Sequence, residues 1–521
     1  MQDAPVAAHS AGEARFERWR RRAGWVLLPI CALALALAPF PGLSRAAHQL
    51  AVIDGLVVLA WLTEIVPLWV PALLGPLAAA LLGVAGLDVA LGPFIHPLIL
   101  LFLGGFILAA GLSAQGVDRR AAMWVLAREW IDSRPERVRV AVVGTTFAFS
   151  MWISNTATTA MMVPIALGLS ASLDAQLRRR QGRGTDAGAD RWTEGLLISL
   201  AYAASLGGVC TPIGTAPNML AVNHLESEMH ITVDFARWMG FALPTALTVL
   251  LGVLFIAARR FAAPVARVEG LQAEVRAELE TLGPVRSGER RVVAVFAVAV
   301  ALWVAPAILR LIFGEAHAAT VWARTWLEEG YVAVVCGLAL LVLPRGAGGA
   351  GSAGEGDAPR ASTRLLTPRQ ALSIDWGTLI LLGGGFSLGK LTFDTGLAAR
   401  IGEGVMALAP PGPTGLLVVA TALVLYLTEL TSNTATTSMM LPVLTPVAVS
   451  AGFDPIPVAL SVTMAASCAF MMPVGTPPNA IVYGTRKVRF SGMFGFGARM
   501  DLWALVVLLA VGAWWLPHLG W

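Results

Sequence analysis

Two identical stretches of hydroxyl and carboxamide side chains stand in strongly apolar parts of the chain. The first contains Ser154, Asn155 and Thr156, and the second contains Ser432, Asn433 and Thr434; both continue into Met-Met-x-Pro. Such polar groups are costly at membrane depth unless they bind something. Neutral oxygens of this kind suit hard cations, and the same side chains can donate hydrogen bonds to carboxylates. The repeat therefore predicts two equivalent half-sites for ions and an anionic solute.

A second repeated motif, Pro-x-Gly-Thr-x-Pro-Asn, follows each of these stretches. It occupies residues 212–218 in the first half and residues 473–479 in the second. Proline interrupts a helix because it lacks the amide donor and clashes with the preceding turn. The interruption frees carbonyls such as those of Gly214 and Gly475 for a cation. It also creates helix N-termini whose partial positive charge suits an anion.

The elements that position these motifs are predicted to be membrane helices. The chain has 521 residues, of which 56% are hydrophobic and 13% charged, with a mean hydropathy of +0.71. Because a soluble protein carries about 25% charged residues, this composition indicates an all-α polytopic membrane protein in the lipid bilayer. The net charge of +4 fits basic loops on one side of the membrane and indicates no nucleic-acid partner.

About eleven transmembrane helices are predicted from the apolar segments, which approach the roughly 20 residues that a crossing needs. They are placed at 24–41, 50–68, 71–90, 95–115, 195–222, 237–258, 291–313, 330–344, 374–393, 457–484 and 500–518. Two further segments, 140–173 and 412–450, are too long for one crossing and contain the Ser-Asn-Thr string at their middle. We predict each to be a re-entrant hairpin, because non-helical backbone at this depth must be buried in protein or line a watery cavity.

The distribution of basic residues predicts the orientation of the chain. Arginines between positions 15 and 22 place the N-terminus in the cytoplasm, and the arginine-rich segment 119–139 places the entry of the first hairpin there too. Five predicted crossings separate the hairpins, so the second enters from the opposite face. The C-terminus is then outside. Charge placement thus predicts an inverted repeat, an arrangement found in many secondary transporters.

The double Ser-Asn-Thr string, the paired proline-glycine breaks and the segment Trp61–Glu64 resemble the divalent anion/sodium symporter family over roughly residues 24–518. The resemblance implies a bacterial cytoplasmic (inner) membrane homodimer with a static scaffold domain and a transport domain that moves by an elevator mechanism. It implies Na+ as the coupling ion and a C4-dicarboxylate such as succinate, malate or fumarate as the solute. A sodium-independent dicarboxylate exchanger, or a symporter for sulfate or for a tricarboxylate such as citrate, remains an alternative.

The resemblance also implies roles for the residues at matching positions. The substrate carboxylates would be contacted by Ser154, Asn155, Thr156, Thr215, Ser432, Asn433, Thr434, Thr476 and Pro477. One sodium ion would be bound by Ser150, Ser154, Asn155 and Gly214. The other would be bound by Thr428, Ser432, Asn433 and Gly475. Ser150 and Thr428 each precede their Ser-Asn-Thr by four positions, about one helical turn.

The expected domain division follows the repeat. We predict a cytoplasmic N-terminal segment (1–23), scaffold helices of the first half (24–94), and transport elements of the first half (95–235) that include the hairpin 140–173 and the broken helix 195–222. Scaffold helices and a cytoplasmic amphipathic helix (236–344) and a cytoplasmic linker (345–370) follow. The second half adds transport elements (371–490), including the hairpin 412–450 and the broken helix 457–484, and a final scaffold helix (491–521).

Several other polar or glycine-rich features have structural explanations. Gly104 and Gly384 lie in a repeated Gly-Gly-Phe pattern that favours close helix packing. Glu64 and Glu429 are either buried structural acceptors or proton-coupling groups. Residues 384–390 fit most of a phosphate-binding loop, but no strand precedes them and Leu391 replaces the required Ser or Thr. No nucleophile–base pattern appears, so the sequence indicates that the protein is not an enzyme.

Overall fold

The computed structural model describes residues 11–38, 42–181, 187–268, 271–346, 364–398, 400 and 412–516. The described residues are almost entirely helical, with one isolated β-bridge between Pro344 and Arg364. The helices are α1 (Ala11–Leu37), α2 (Arg45–Thr63), α3 (Trp69–Leu81), α4 (Leu87–Leu91), α5 (Pro97–Gln115), α6 (Val117–Leu126), α7 (Pro135–Ser150), α8 (Asn155–Gln181), α9 (Ala187–Gly208), α10 (Ala216–Ser227), α11 (Phe235–Arg260), α12 (Leu271–Thr281), α13 (Ser287–Phe313), α14 (Ala318–Trp326), α15 (Glu329–Val342), α16 (Pro368–Ala371), α17 (Trp376–Asp394), α18 (Pro413–Leu427), α19 (Asn433–Ser450), α20 (Pro455–Ala466), α21 (Pro477–Gly484) and α22 (Phe490–Ala510).

Seven helical segments of the described chain are long and apolar enough to cross a membrane, and the bent pair α14–α15 raises the number to eight. The crossings predicted at 195–222 and 457–484 are not among these segments, and each is interrupted between two helices, α9 and α10 in the first and α20 and α21 in the second. Most of the predicted linker 345–370 and the last residues of the final helix lie outside the described residues. The all-α membrane fold class is therefore confirmed, with interrupted helices where the proline-glycine motifs occur.

The crossing predicted at 71–90 is wrong as a single helix. Helix α3 ends at Leu81 and α4 begins at Leu87. Gly83 adopts φ +73°, and the amide of Val84 donates to the Ala79 carbonyl at 2.9 Å. This is the hydrogen-bond pattern of a glycine-terminated helix, which a side chain at position 83 would disfavour.

The two Gly-Gly-Phe helices pack in the same way, each against a helix of the opposite half. In α5, a Cβ atom on Gly104 would lie 2.2 Å from the carbonyl carbon of Ala333 in α15. In α17, a Cβ atom on Gly384 would lie 2.1 Å from the carbonyl oxygen of Ala72 in α3. Both glycines therefore allow backbones to touch, as the repeated pattern predicted. The segment 384–390 is inside α17 and forms no loop.

The helices that follow the polar motifs of one half pack against the corresponding helices of the other half. Helix α8, which follows the first Ser-Asn-Thr turn, packs against α21, which follows the second break. Helix α10, which follows the first break, packs against α19, which follows the second Ser-Asn-Thr turn. The final helix α22 packs against α11, α18 and α20. The two halves are thus interleaved through the helices that follow their polar motifs.

Candidate ion and solute site

The first hairpin turns at its Ser-Asn-Thr string. Helix α7 ends at Ser150 and α8 begins at Asn155. The Ser150 hydroxyl donates to Oδ1 of Asn155 at 2.8 Å. Ser150 is fully buried, whereas Ser154 and Thr156 are exposed. The turn therefore separates the buried Ser150 hydroxyl and its half-buried partner Asn155 from the accessible hydroxyls of Ser154 and Thr156.

The second hairpin repeats this geometry. Helix α18 ends at Leu427 and α19 begins at Asn433. The Thr428 hydroxyl lies 2.9 Å from Oδ1 of Asn433 and 2.6 Å from the carbonyl oxygen of Ala466, the last residue of α20. Thr428 is fully buried, and residues 432–434 are partly exposed. Three oxygens therefore meet where this hairpin touches the end of a broken helix.

Each break is held open by the asparagine that ends its motif. Nδ2 of Asn218 donates to the carbonyls of Gly208 and Thr211 at 2.9 and 2.7 Å. Nδ2 of Asn479 donates to the carbonyls of Ala469 and Met472, both at 3.0 Å. The two amides satisfy the carbonyls of Gly208 and Ala469 and add a second donor to those of Thr211 and Met472, which also accept the amides of Gly214 and Gly475 at 3.2 Å. Sequence reasoning assigned them no role, although their identical place in both motifs was the signal.

The first hairpin and the first break are in direct contact. A Cβ atom on Gly208 would lie 2.2 Å from Oδ1 of Asn155, and one on Gly214 would lie 2.3 Å from the Gly208 carbonyl oxygen. The structure therefore brings Ser150, Asn155 and Gly214 together around the end of α9. In the second half, Gly475 is part of the second break, and Thr428 contacts the end of α20, the helix that precedes this break.

The four helices that leave these turns and breaks begin at motif residues. They are α8 at Asn155, α10 at Ala216, α19 at Asn433 and α21 at Pro477. Helix N-termini carry unpaired amides and partial positive charge, which favour anions. The threonines before two of them differ: the Thr476 hydroxyl accepts the Asn479 amide at 3.3 Å, whereas Thr215 makes no such side-chain cap. Pro477 is exposed, so it is accessible to a solute.

The carboxylate of Glu429 joins the second hairpin to the second break. Oε1 accepts the amides of Phe470 and Met471 at 2.6 and 2.8 Å, and Oε2 accepts the amide of Met472 at 2.8 Å. These bonds identify Glu429 as a structural acceptor, one of the two roles that the sequence left open.

An arginine that sequence reasoning missed lies close to the second hairpin. Nη2 of Arg20 forms an ion pair with Glu64 at 2.6 Å, and its Nη1 lies 3.4 Å from the carbonyl oxygen of Leu430. Glu64 ends α2 in the left-handed region with φ 45°. The first helix thus places a guanidinium beside the turn, although no arginine or lysine is part of either predicted half-site.

A membrane protein in which two repeated halves each set a hairpin against a broken helix belongs to the class of secondary transporters. The sequence profile described as the sodium:sulfate symporter transmembrane region matches residues 20–521, and the chain belongs to this family. The resemblance to divalent anion/sodium symporters is therefore confirmed. The chain is a transporter and not an enzyme.

Curated relatives match most of the chain. The sodium-dependent dicarboxylate transporter SdcS of Staphylococcus saprophyticus is 30% identical over 453 residues, covering 87% of this chain and 82% of the relative. SdcS of Staphylococcus aureus strain USA300 is also 30% identical, over 455 residues with the same coverage. The sodium dependence of these relatives agrees with Na+ as the expected coupling ion.

A solved structure shares the fold. The YdaH transporter of Alcanivorax borkumensis aligns with 97% of this chain and 98% of its own, with a TM-score of 0.52 and 14% sequence identity. At this identity the similarity establishes the fold alone.

Proposed function

We propose that this chain is a sodium-coupled symporter that carries divalent organic anions, with C4-dicarboxylates such as succinate, malate and fumarate as its solutes. The observation that carries the proposal is the repeated contact at the two hairpin turns. In each half, a buried hydroxyl lies within 2.9 Å of the amide oxygen of the motif asparagine, next to the carbonyl end of a broken helix. The sodium-dependent dicarboxylate transport of the relatives supports the same function.

The donor set at each turn suits sodium. Ser150 and Thr428 supply buried neutral oxygens, Asn155 and Asn433 supply half-buried ones, and the adjacent breaks supply carbonyls near Gly214 and Gly475. Hard cations prefer such oxygens, as the coordination of Ca2+ and Mg2+ illustrates. Ser154 and Ser432 complete the predicted ligand sets. Bound sodium would offset the charge of a dianion brought into the membrane.

The accessible residues of the turns suit carboxylates. Ser154, Thr156 and Ser432–Thr434 present hydroxyl and amide groups beside helix N-termini, whose unpaired amides favour negative charge. Thr215, Thr476 and Pro477 complete the predicted solute site at the breaks. Two half-sites at a set separation would select a solute with two carboxylates at matching spacing.

The packing supports an elevator mechanism with an adjusted domain division. Helices α11 and α22 pack against the hairpin and broken-helix elements, so we assign 236–260 and 491–516 to the transport domain. Helix α5 packs mainly against α15 and joins the scaffold. We further propose a homodimer in the bacterial inner membrane, with the N-terminus in the cytoplasm and the C-terminus outside.

The proposal is tested with purified protein in liposomes. Uptake of labelled succinate is measured with and without an inward sodium gradient, and we expect uptake only with the gradient. Counterflow of dicarboxylates without sodium would instead identify an exchanger. Stronger competition by sulfate or citrate than by malate and fumarate would replace the assigned solute.

A further inference from the structure

A cavity that the proposed function does not use lies between α2, α17 and α19. Its volume is about 420 Å³, within the range of about 300–1,000 Å³ that is usual for small-molecule sites. Most of its walls are apolar, and they include Val57, Trp61, Leu388 and Met439. Helices α2 and α17 belong to segments that are long and apolar enough to cross the membrane. A molecule that enters the cavity therefore comes from the lipid bilayer.

Asp54 of α2 adds a carboxyl group to these apolar walls. Its Oδ1 is buried and receives no hydrogen bond from any described residue. Its Oδ2 lies 3.0 Å from the hydroxyl of Thr392, which also lies 2.7 Å from the carbonyl oxygen of Leu388. A hydroxyl group has a single proton, so the two acceptors compete for it. Asp54 is therefore short of donors, which is costly for a buried polar group.

Ser438 of α19 adds a second polar atom to the walls that is not used by the protein. Its hydroxyl oxygen is buried and has no hydrogen-bond partner among the described residues. The preceding Thr437 donates to the carbonyl oxygen of Asn433, one turn earlier in the same helix, but Ser438 does not form such a bond. A Cβ atom on Gly385 would lie 3.0 Å from Oγ of Ser438, so this side chain is turned toward α17.

These two groups define the chemistry of a ligand. A hydroxyl group can donate to a carboxyl oxygen and accept from a serine hydroxyl, so it suits both Asp54 and Ser438. Arg400 also lines the cavity, but it is exposed and lies against Gly42, in the loop between α1 and α2. Its charge can be hydrated and does not require a ligand. The remaining walls suit an alkyl chain.

We propose that this cavity binds a single-chain amphiphile with a hydroxyl head group, taken up from the bilayer, and that the bound amphiphile slows transport. The volume is too small for a lipid with two chains. The effect on transport rests on the proposed elevator function. Helix α2 belongs to the scaffold and α19 to the second hairpin, so the ligand lies between parts that must move past each other.

The binding test uses the full-length protein in liposomes and octanol with a photoreactive diazirine in its chain. After irradiation, mass spectrometry should find adducts on residues that line the cavity, and unlabelled decanol should compete for them. In D54L, which lacks the acceptor but has a side chain of similar size, we expect the half-saturating octanol concentration to rise about tenfold, because one hydrogen bond to a buried carboxyl group is lost. D88L is the matched control, since Asp88 is exposed.

The transport test measures sodium-driven succinate uptake in the presence of octanol. Octanol should inhibit the wild type and D88L more strongly than A51F, because Ala51 lines the cavity and a larger side chain at this position fills it. Equal inhibition of the three proteins would assign the effect to the bilayer and would overturn the proposed slowing of transport.

The labelling results decide the site itself. Adducts only outside the cavity, or equal labelling of the wild type, D54L and A51F, would overturn it. Stronger competition by decanoate than by decanol would place a carboxylate near Arg400 and overturn the hydroxyl assignment. If D54L does not yield folded protein, unchanged labelling of A51F overturns the site equally. Sodium-independent uptake by the wild type would overturn the proposed function, whereas the labelling does not depend on sodium.

Discussion

Ser150 and Thr428 show how single residues build the two half-sites. Each places a buried hydroxyl against the amide oxygen of the asparagine that begins the next helix, at 2.8 and 2.9 Å. Asn155 also lies against Gly208 at the end of α9, and Thr428 lies against the Ala466 carbonyl at the end of α20. One side chain thus connects the hairpin, the break and the proposed ion, which explains why the string occurs twice without change.

The asparagines Asn155 and Asn433 should be essential for transport. We expect N155A or N433A to reduce sodium-driven uptake by about ten- to a hundredfold, because a polar contact to a charged ligand contributes about 1.5–3 kcal/mol. Uptake in liposomes and sodium-dependent thermal stability measure the effect. N223A is the control, since Asn223 lies in α10 and accepts a hydrogen bond from Ser227. Normal uptake by either site variant would contradict the assignment.

The asparagines of the breaks should matter for stability. Replacing Asn218 or Asn479 by alanine leaves the carbonyl of Gly208 or of Ala469 without its donor, at a cost of about 1–3 kcal/mol for the unsatisfied group. We expect N218A and N479A to melt at lower temperature than the wild type, both with and without sodium. Melting curves in detergent provide the measurement. An unchanged melting temperature would show that the two amides do not hold the breaks.

At the scale of helices, the repeated Gly-Gly-Phe pattern allows two close backbone contacts, one between α5 and α15 and one between α17 and α3. Gly104 and Gly384 touch the backbone of α15 and α3, and neither neighbour can move aside as a flexible side chain would. We expect G104A and G384A each to lower the melting temperature, because overpacking reduces the free energy of unfolding by about 1–3 kcal/mol. G168A is the control, because a Cβ atom there meets nothing within 4 Å. Equal stability of all three variants would refute the packing role.

The interrupted helices show which helix ends can be predicted from the sequence and which cannot. Proline and glycine mark the breaks at 212–218 and 473–479 because their effect on the backbone is local. The ending of α3 at Leu81 was missed because it depends on the left-handed conformation of Gly83, one glycine among many in an apolar chain. A helix break can be predicted from the sequence when several prolines and glycines occur close together. It is missed when the conformation of a single glycine ends the helix.

For the whole molecule, the opposite entry of the two hairpins is the property on which the proposed mechanism depends. Glu129, before α7, and Ser450, at the end of α19, are exposed and lie near the bases of the two hairpins. We expect E129C to react with a membrane-impermeant thiol reagent only after cells are permeabilised, and S450C to react in intact cells. Wild-type protein gives the background of the native cysteines. Labelling of both variants from the same side would rule out the inverted arrangement.

The sequence by itself determined that the protein lies in a lipid bilayer, that its chain contains a repeat, and which chemical groups the two half-sites contain. Hydropathy indicates a membrane protein, prolines and a glycine placed close together interrupt the helices at 212–218 and 473–479, and neutral oxygens in apolar surroundings point to a ligand. These are properties of single residues and of near neighbours along the chain. Only the tertiary structure decided that α8 meets α21 and α10 meets α19, that Arg20 lies beside Leu430, and that Glu429 accepts the amides of residues 470–472. Such pairs lie far apart along the chain, and nothing in one sequence indicates which distant groups will meet, because that depends on how all helices pack together.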